Sequence, residues 1–221
     1  LGPRVLRHAI VRFGFGAPTG VELPGEEHGI LRPLRQWTSY SMTSLPMGHE
    51  IAVTSLSLAS AYNVFASKGV WRRPTLIAGF ASQDANTPVH ILPPAPSQPA
   101  IRPAVATLMA SDILASVVER GTGKRAQVAG YAVAGKTGTA QIARKDGRGY
   151  EPNAYTSSFA ALAPADDPKI VCVVTITRPR KAHYGGTVAA PATAAIIERV
   201  LTYLGVPRRQ PQLAVNDGSR S

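Results

Sequence analysis

Apolar positions recur at helical spacing in three stretches of this 221-residue chain and run together in three others. The first helical stretch is 54–68, where Ile51, Leu58, Tyr62 and Phe65 fall on one face, Thr54 can cap the start and Gly69 ends it. A second follows Pro103, a residue suited to a first helical turn, with Val105, Met109, Ile113 and Val117 repeating every four positions before Gly121. A third runs from about Pro191 to Leu204, with Ile197, Leu201 and Leu204 inward and Gly205 as its stop. Leu1 to Val11 has the character of a helix end. Strands are predicted at 131–134, 156–163 and 169–177, the last two joined by Ala165-Asp166-Asp167-Pro168 as an antiparallel hairpin.

Between these lie stretches rich in turn residues. Phe13-Gly14-Phe15-Gly16-Ala17-Pro18 and Leu23-Pro24-Gly25-Glu26 read as turns, and 32–50 as polar and irregular. Residues 79–103 read as loop, because Pro88, Pro93, Pro94, Pro96 and Pro99 withhold backbone donors. Helices around an antiparallel sheet make the expected class α+β. Residues 1–204 form the structured part, and the polar tail 205–221 is expected to be disordered.

Composition changes this picture little. Apolar residues are 44% and charged residues 17%, a globular balance. The net charge of +11 bears on partners, not fold, and no basic run exceeds a pair such as Arg72-Arg73 or Arg208-Arg209, so no nucleic acid partner is expected. The single cysteine, Cys172, sits in an apolar run and reads as a small buried hydrophobe. His8, His28, His49, His90 and His183 are scattered, no cluster has metal-ligand spacing, and no cofactor is implied.

Chemistry concentrates at Gly130-Tyr131-Ala132-Val133-Ala134-Gly135-Lys136-Thr137-Gly138-Thr139-Ala140. From Gly130 it spells the phosphate-binding G-x-x-x-x-G-K-T; from Lys136 it spells the K-T-G box of serine acyl-transfer enzymes. A phosphate loop needs a buried strand before its first glycine and a helix starting at Lys-Thr. Here Gly123 to Val128 is no buried strand, and Gly138 follows Lys136-Thr137. A K-T-G strand fits better. Lys136 and the hydroxyls of Thr137 and Thr139 can converge on a carboxylate, Gly138 admits a substrate backbone, and an open strand edge can pair with a peptide.

The box does not stand alone. Phe13-Gly14-Phe15-Gly16, Leu23-Pro24-Gly25-Glu26, Met47-Gly48-His49-Glu50-Ile51-Ala52-Val53-Thr54, Glu119-Arg120-Gly121-Thr122-Gly123-Lys124, Lys136 to Ala140, Tyr155 to Pro164 and Tyr184-Gly185-Gly186 occur in that order. The series resembles the class B penicillin-binding proteins, monofunctional peptidoglycan D,D-transpeptidases of cell division and elongation. The resemblance implies a five-stranded antiparallel sheet between helices. It implies a serine that attacks stem peptides ending in D-Ala-D-Ala, and inhibition by β-lactams. Lys136, Thr137, Gly138 and Thr139 would bind substrate, with the Thr139 N–H as half of an oxyanion hole. It also implies a membrane anchor, a catalytic domain on the periplasmic side, and a glycan polymerase and division or elongation proteins as partners.

Two of the family's boxes are missing. None of the six lysines has a serine three residues before it, so S-x-x-K is absent, and no asparagine completes S-x-N. The expectation is a fragment of the domain without its N-terminal part, inactive alone. The alternatives are a non-catalytic remnant with a binding or regulatory role, and a carboxypeptidase- or β-lactamase-like hydrolase. A remnant would leave the 55–67 helix and one sheet face without partners and expose large apolar patches.

Overall fold

The computed structural model describes residues 2–81, 89–144, 146 and 149–209. Pro3, at a position where its missing N–H loses no bond, opens helix α1 (Pro3–Arg12). The loop after it turns at Gly14, Gly16, Gly20, Gly25 and Gly29, all at positive φ. Strand β1 (Ile30–Leu31) pairs antiparallel with β2 (Ile51–Ala52), and the segment expected to be irregular between them contains a helical turn, α2 (Ser41–Ser44). Ile51 therefore belongs to β2 and not to the face of the following helix. That helix, α3 (Ser55–Ala66), starts with a reciprocal cap: Thr54 Oγ1 accepts the Ser57 N–H at 3.0 Å and Ser57 Oγ accepts the Thr54 N–H at 3.0 Å.

The stretch from 79 to 103 is less loop-like than its prolines suggest. Strand β3 (Val70–Arg72) pairs with β6 (Ser97–Pro99), and β4 (Gly79–Phe80) with β5 (His90–Ile91). Each ladder has only two strands, so proline sits on an edge where the lost donor faces no partner. Pro88 lies outside the described residues.

Helix α4 (Pro103–Leu108), a π turn (Met109–Leu114) and α5 (Ala115–Glu119) follow in succession. The buried stripe is Ala106, Ala110, Leu114 and Val118, one position along from the predicted Val105-Met109-Ile113-Val117, and Ile113 is 45% exposed. The spacing was right and the face was not. Small Ala106 and Ala110 let this segment lie close to its neighbours; Met109 still packs against the Leu114 cluster, and Ile113 faces outward.

The main sheet has three antiparallel strands in the order β7 (Ala134–Ala143), β8 (Tyr150–Ala163), β9 (Ile170–Thr177), three of the five that the resemblance implied. The predicted β8–β9 hairpin is present, with Phe159 opposite Val174 and Ala161 opposite Cys172. The strand predicted at 131–134 is corrected. Residues 131–133 make only a bridge between Val128 and Tyr131, and the strand begins at Ala134 and runs to Ala143. Tyr131 turns inward, and its hydroxyl donates to the Val206 carbonyl at 2.7 Å.

Alternation along β8 divides the interior in two. Phe159, Ala161 and Ala163 join Cys172, Ile197 and Leu201 on one face; Leu162 and Ala134 join Leu114, with Tyr62 and Phe65 packed against them, on the other. Cys172 is a buried free thiol whose pKa is pushed up by burial. Helices α6 (Gly185–Val188) and α7 (Ala190–Tyr203) cover the first face. Leu204, expected inward, is 52% exposed because the helix ends one residue earlier and Gly205 turns away at φ 66°. The second face is covered by α3, and Tyr62 is buried enough that its hydroxyl pKa is pushed up to about 12. Of the polar tail, residues 205–209 are described, and Arg209 donates its N–H to the Gly130 carbonyl at 2.8 Å.

Candidate active site

Lys136, Thr137, Gly138 and Thr139 lie in the middle of β7, opposite Ala160, Phe159, Ser158 and Ser157 of β8. No helix starts there, which disposes of the phosphate-loop geometry. Among the described residues β7 pairs with β8 alone, so its other edge is open. Thr137 and Thr139 share the face that carries Phe159; Lys136 projects from the opposite face. The lysine returns around the strand, with Nζ donating to the Thr137 hydroxyl at 3.1 Å and to the Thr137 carbonyl at 3.0 Å.

The two threonines are held by neighbours that the hydrophobic pattern does not single out. Thr137 Oγ1 lies 3.2 Å from Thr122 Oγ1, and Thr139 Oγ1 accepts the Gly185 N–H at 3.1 Å. Both hydroxyls line a cavity of about 360 Å³ together with Thr122, Lys124, Arg125 and the Tyr184–Thr187 segment. Among the described residues its lining carries two cationic side chains and no carboxylate. Such a cavity offers hydroxyl donors and positive charge to an anion.

Close approach of backbone leaves no room for a side chain at Gly185 and Gly186, and at Gly138 the Ser158 hydroxyl would have to move. A Cβ on Gly138 would come within 2.5 Å of Ser158 Oγ. One on Gly185 would collide with the Ser158 carbonyl and reach 2.6 Å from the Gly138 carbonyl. This contact lets the start of α6 donate its N–H to Thr139. Behind it, His183 stacks on Tyr155 at 4.3 Å between centroids and leans on Tyr184 at 4.3 Å, and its carbonyl accepts from the Ser157 hydroxyl. Glycine pairs beside a hydroxyl-rich strand were the sequence signal for this wall, legible only through the family series. Among the described residues no group of His, Cys, Asp or Glu is arranged to hold a metal, and no helix is long and apolar enough to cross a membrane.

An antiparallel sheet between helices, with K-T-G on its open edge strand and a cationic, hydroxyl-lined cavity beside it, fits the class of serine acyl-transfer domains that carry a K-T-G box. The chain belongs to the penicillin-binding transpeptidase family: residues 1–198 match the penicillin binding protein transpeptidase domain, and its relatives are of class B. It is 35% identical over 216 residues to the penicillin-binding protein PbpB of Mycolicibacterium smegmatis, covering 94% of this chain and 33% of that protein. It is 30% identical over 196 residues to the peptidoglycan D,D-transpeptidase FtsI of Escherichia coli, covering 88% and 31%. The fold is similar to that of penicillin binding protein 3 from Mycobacterium tuberculosis, solved in complex with ampicillin, with a TM-score of 0.85, 28% identity, and coverage of 96% of this chain and 48% of that one. The chain thus spans about a third of the length of the curated relatives it matches.

Proposed function

We propose that this protein serves a peptidoglycan D,D-transpeptidase, with Lys136, Thr137 and Thr139 holding the terminal carboxylate of a stem peptide ending in D-Ala-D-Ala. The observation that carries this reading is the Lys136 Nζ–Thr137 Oγ1–Thr122 Oγ1 chain on an open strand edge, beside a cavity with cations and no carboxylate. Gly138 leaves room for the substrate backbone, and the Thr139 N–H supplies one of two oxyanion donors.

The reaction needs a serine that these 221 residues do not present in an S-x-x-K box. That serine's oxygen attacks the penultimate D-Ala carbonyl, the terminal D-Ala leaves with the proton, and an acceptor amine then takes the acyl group and frees the serine. β-Lactams enter the same site through their carboxylate. The 221 residues alone are not acylated. The full-length protein is membrane-anchored with this domain outside the cytoplasm, where its substrate lies, and works with a glycan polymerase and division or elongation proteins.

The test is covalent labelling of the full-length protein by a fluorescent penicillin. Lys136→Ala should abolish labelling while the unfolding midpoint barely moves, because the side chain is exposed. Near-normal labelling of that variant would overturn the assignment of this strand.

A further inference from the structure

The segment that leads into the K-T-G strand has no ladder to hold it. Between the end of α5 at Glu119 and the start of β7 at Ala134 it forms one 3-10 turn (Lys124–Ala126) and a lone bridge from Val128 to Tyr131. Yet this connection makes one wall of the candidate site. Thr122, Lys124 and Arg125 line the cavity, and the Thr122 hydroxyl lies 3.2 Å from that of Thr137. Its near end rests on the buried Phe159 ring. A Cβ on Gly123 would stand 3.2 Å from that ring, and one on Gly135 of β7 would stand 2.7 Å from it, so the ring carries loop and strand together.

The far end is held from outside. Helix α7 closes with a Schellman cap, in which the Gly205 N–H donates to the Thr202 carbonyl at 3.1 Å and the Val206 N–H to the Leu201 carbonyl at 3.0 Å. The chain then turns back, and residues 206–209 grip three successive residues of the connection. The Val206 carbonyl accepts the Tyr131 hydroxyl at 2.7 Å. The Arg208 guanidinium donates to the Ala129 carbonyl at 3.1 Å and lies 5.5 Å from the centre of the Tyr131 ring. The backbone N–H of Arg209 donates to the Gly130 carbonyl at 2.8 Å. Two ion pairs fasten the grip, Arg208 to Glu198 of α7 at 2.8 Å and Arg209 to Asp166 of the β8–β9 turn at 2.5 Å. Tyr131 and Phe159 share one buried cluster with Val206 packed against it, so both ends of the connection bear on the same body.

We infer that residues 206–209 are a strap that positions the 122–125 loop and, through Thr122, the Thr137 hydroxyl that meets a ligand's carboxylate. The inference rests on the transpeptidase reading above. The strap touches no substrate; Arg208 and the Arg209 N–H are positioning groups. Released from it, the connection is left with its support on Phe159 and is free to shift at its other end. A shift of about 1 Å breaks a hydroxyl contact of this length. Thr137 then keeps the bond from Lys136, which comes from its own strand, and loses the neighbour that aims its hydroxyl. Binding that depends on the carboxylate weakens, while attack on the acyl carbon does not need that hydroxyl. Exposed ion pairs contribute little by themselves, so the grip lies in the bonds to residues 129–131 and not in the Asp166 pair.

The experiment measures acylation of the full-length protein by benzylpenicillin and by its methyl ester, which lacks the carboxylate. Arg208→Ala combined with Arg209→Pro removes the guanidinium and the N–H that reaches Gly130, at two exposed positions. It should slow benzylpenicillin about tenfold and leave the ester within about twofold. Tyr131→Phe keeps the buried ring and loses only the hydroxyl bond to Val206, and should slow benzylpenicillin about threefold with the same selectivity. Arg209→Ala keeps the backbone N–H, gives up only the Asp166 pair, and should match the unaltered protein. Equal slowing of both reagents would mean that the segment merely supports folding, and would overturn the inference. Unchanged rates in the double variant, or an Arg209→Ala as damaging as the double variant, would also overturn it. Absence of penicillin acylation in the unaltered protein would instead remove the transpeptidase reading, and the role of the strap in it.

Discussion

The two halves of the chain are held by different forces. From Pro103 onward, the sheet and its helices bury Phe159, Leu162, Ile197 and Leu201 completely, and stability there comes from apolar packing. The loops before β2 have no such interior, and three glutamates organise the first half. Glu26 accepts the N–H groups of Thr19 and Gly20 at 2.7 and 2.9 Å; Glu22 accepts the Leu76 N–H at 2.9 Å and the Thr75 hydroxyl at 2.9 Å; Glu50 accepts from Ser41 and Ser44. The sheet half rests on apolar packing, and the loop half adds hydrogen bonds to carboxylates to the β1–β2 ladder and a few buried side chains such as Val21 and Leu45.

The largest effect that would test this contrast is in the sheet. Phe159→Ala removes a fully buried ring beneath Thr137 and should destabilise by about 3–5 kcal/mol, read from urea unfolding. A loss below about 1 kcal/mol would mean that the sheet is not where stability resides. Next, Thr54→Ala breaks the reciprocal cap that starts α3 at the junction of the halves, and should cost about 1 kcal/mol in the same measurement.

Acid should separate the halves. All three glutamates are held below the ordinary value of 4.5: Glu50 chiefly by the hydroxyls of Ser44 and Ser41, Glu22 chiefly by the Leu76 N–H. For Glu26, burial pushes the value up, and the hydrogen bonds from Thr19 and Gly20 together outweigh it. A depressed folded pKa means stability that is complete above the unfolded value and lost as pH falls through the folded one. Amide exchange in residues 15–53 should therefore accelerate as pH falls below 4.5, after correction for intrinsic rates, while β7–β9 stays protected. Simultaneous loss of both regions would erase the contrast. The smallest effect is expected at an exposed pair in the sheet half, Arg209 and Asp166 at 2.5 Å: Asp166→Ala should change stability by less than about 1 kcal/mol.

Legibility in the sequence follows the same division. The start of α3 at Thr54, the β8–β9 hairpin and the closing helix were readable because capping residues and apolar runs announce them. Strand β7 was readable only in part. From Lys136 to Gln141 it is polar and glycine-containing, with no buried residue in that stretch to set an alternation. Its K-T-G was found, but its extent to Ala143 was not. The proline-rich ladders were missed because two-stranded edges tolerate what a central strand would not. Thr122 and Gly185 reach the site by tertiary approach, from 15 and 46 positions away from the threonines they touch, and no local periodicity encodes that.

Under the transpeptidase reading proposed above, Gly185 has a consequence for inhibitors. The backbone of the 184–187 segment is pressed against the carbonyls of Ser158 and Gly138, so this wall has no freedom to drift by substitution without prising α6 from the strand. Tyr184, 64% exposed, has no such constraint, nor has Thr187 at the cavity's rim. For a ligand seated on Thr137 and Thr139, escape by mutation has a hard floor and a soft rim. A compound that draws its contacts from backbone at the floor would keep its target longer than one that leans on Tyr184.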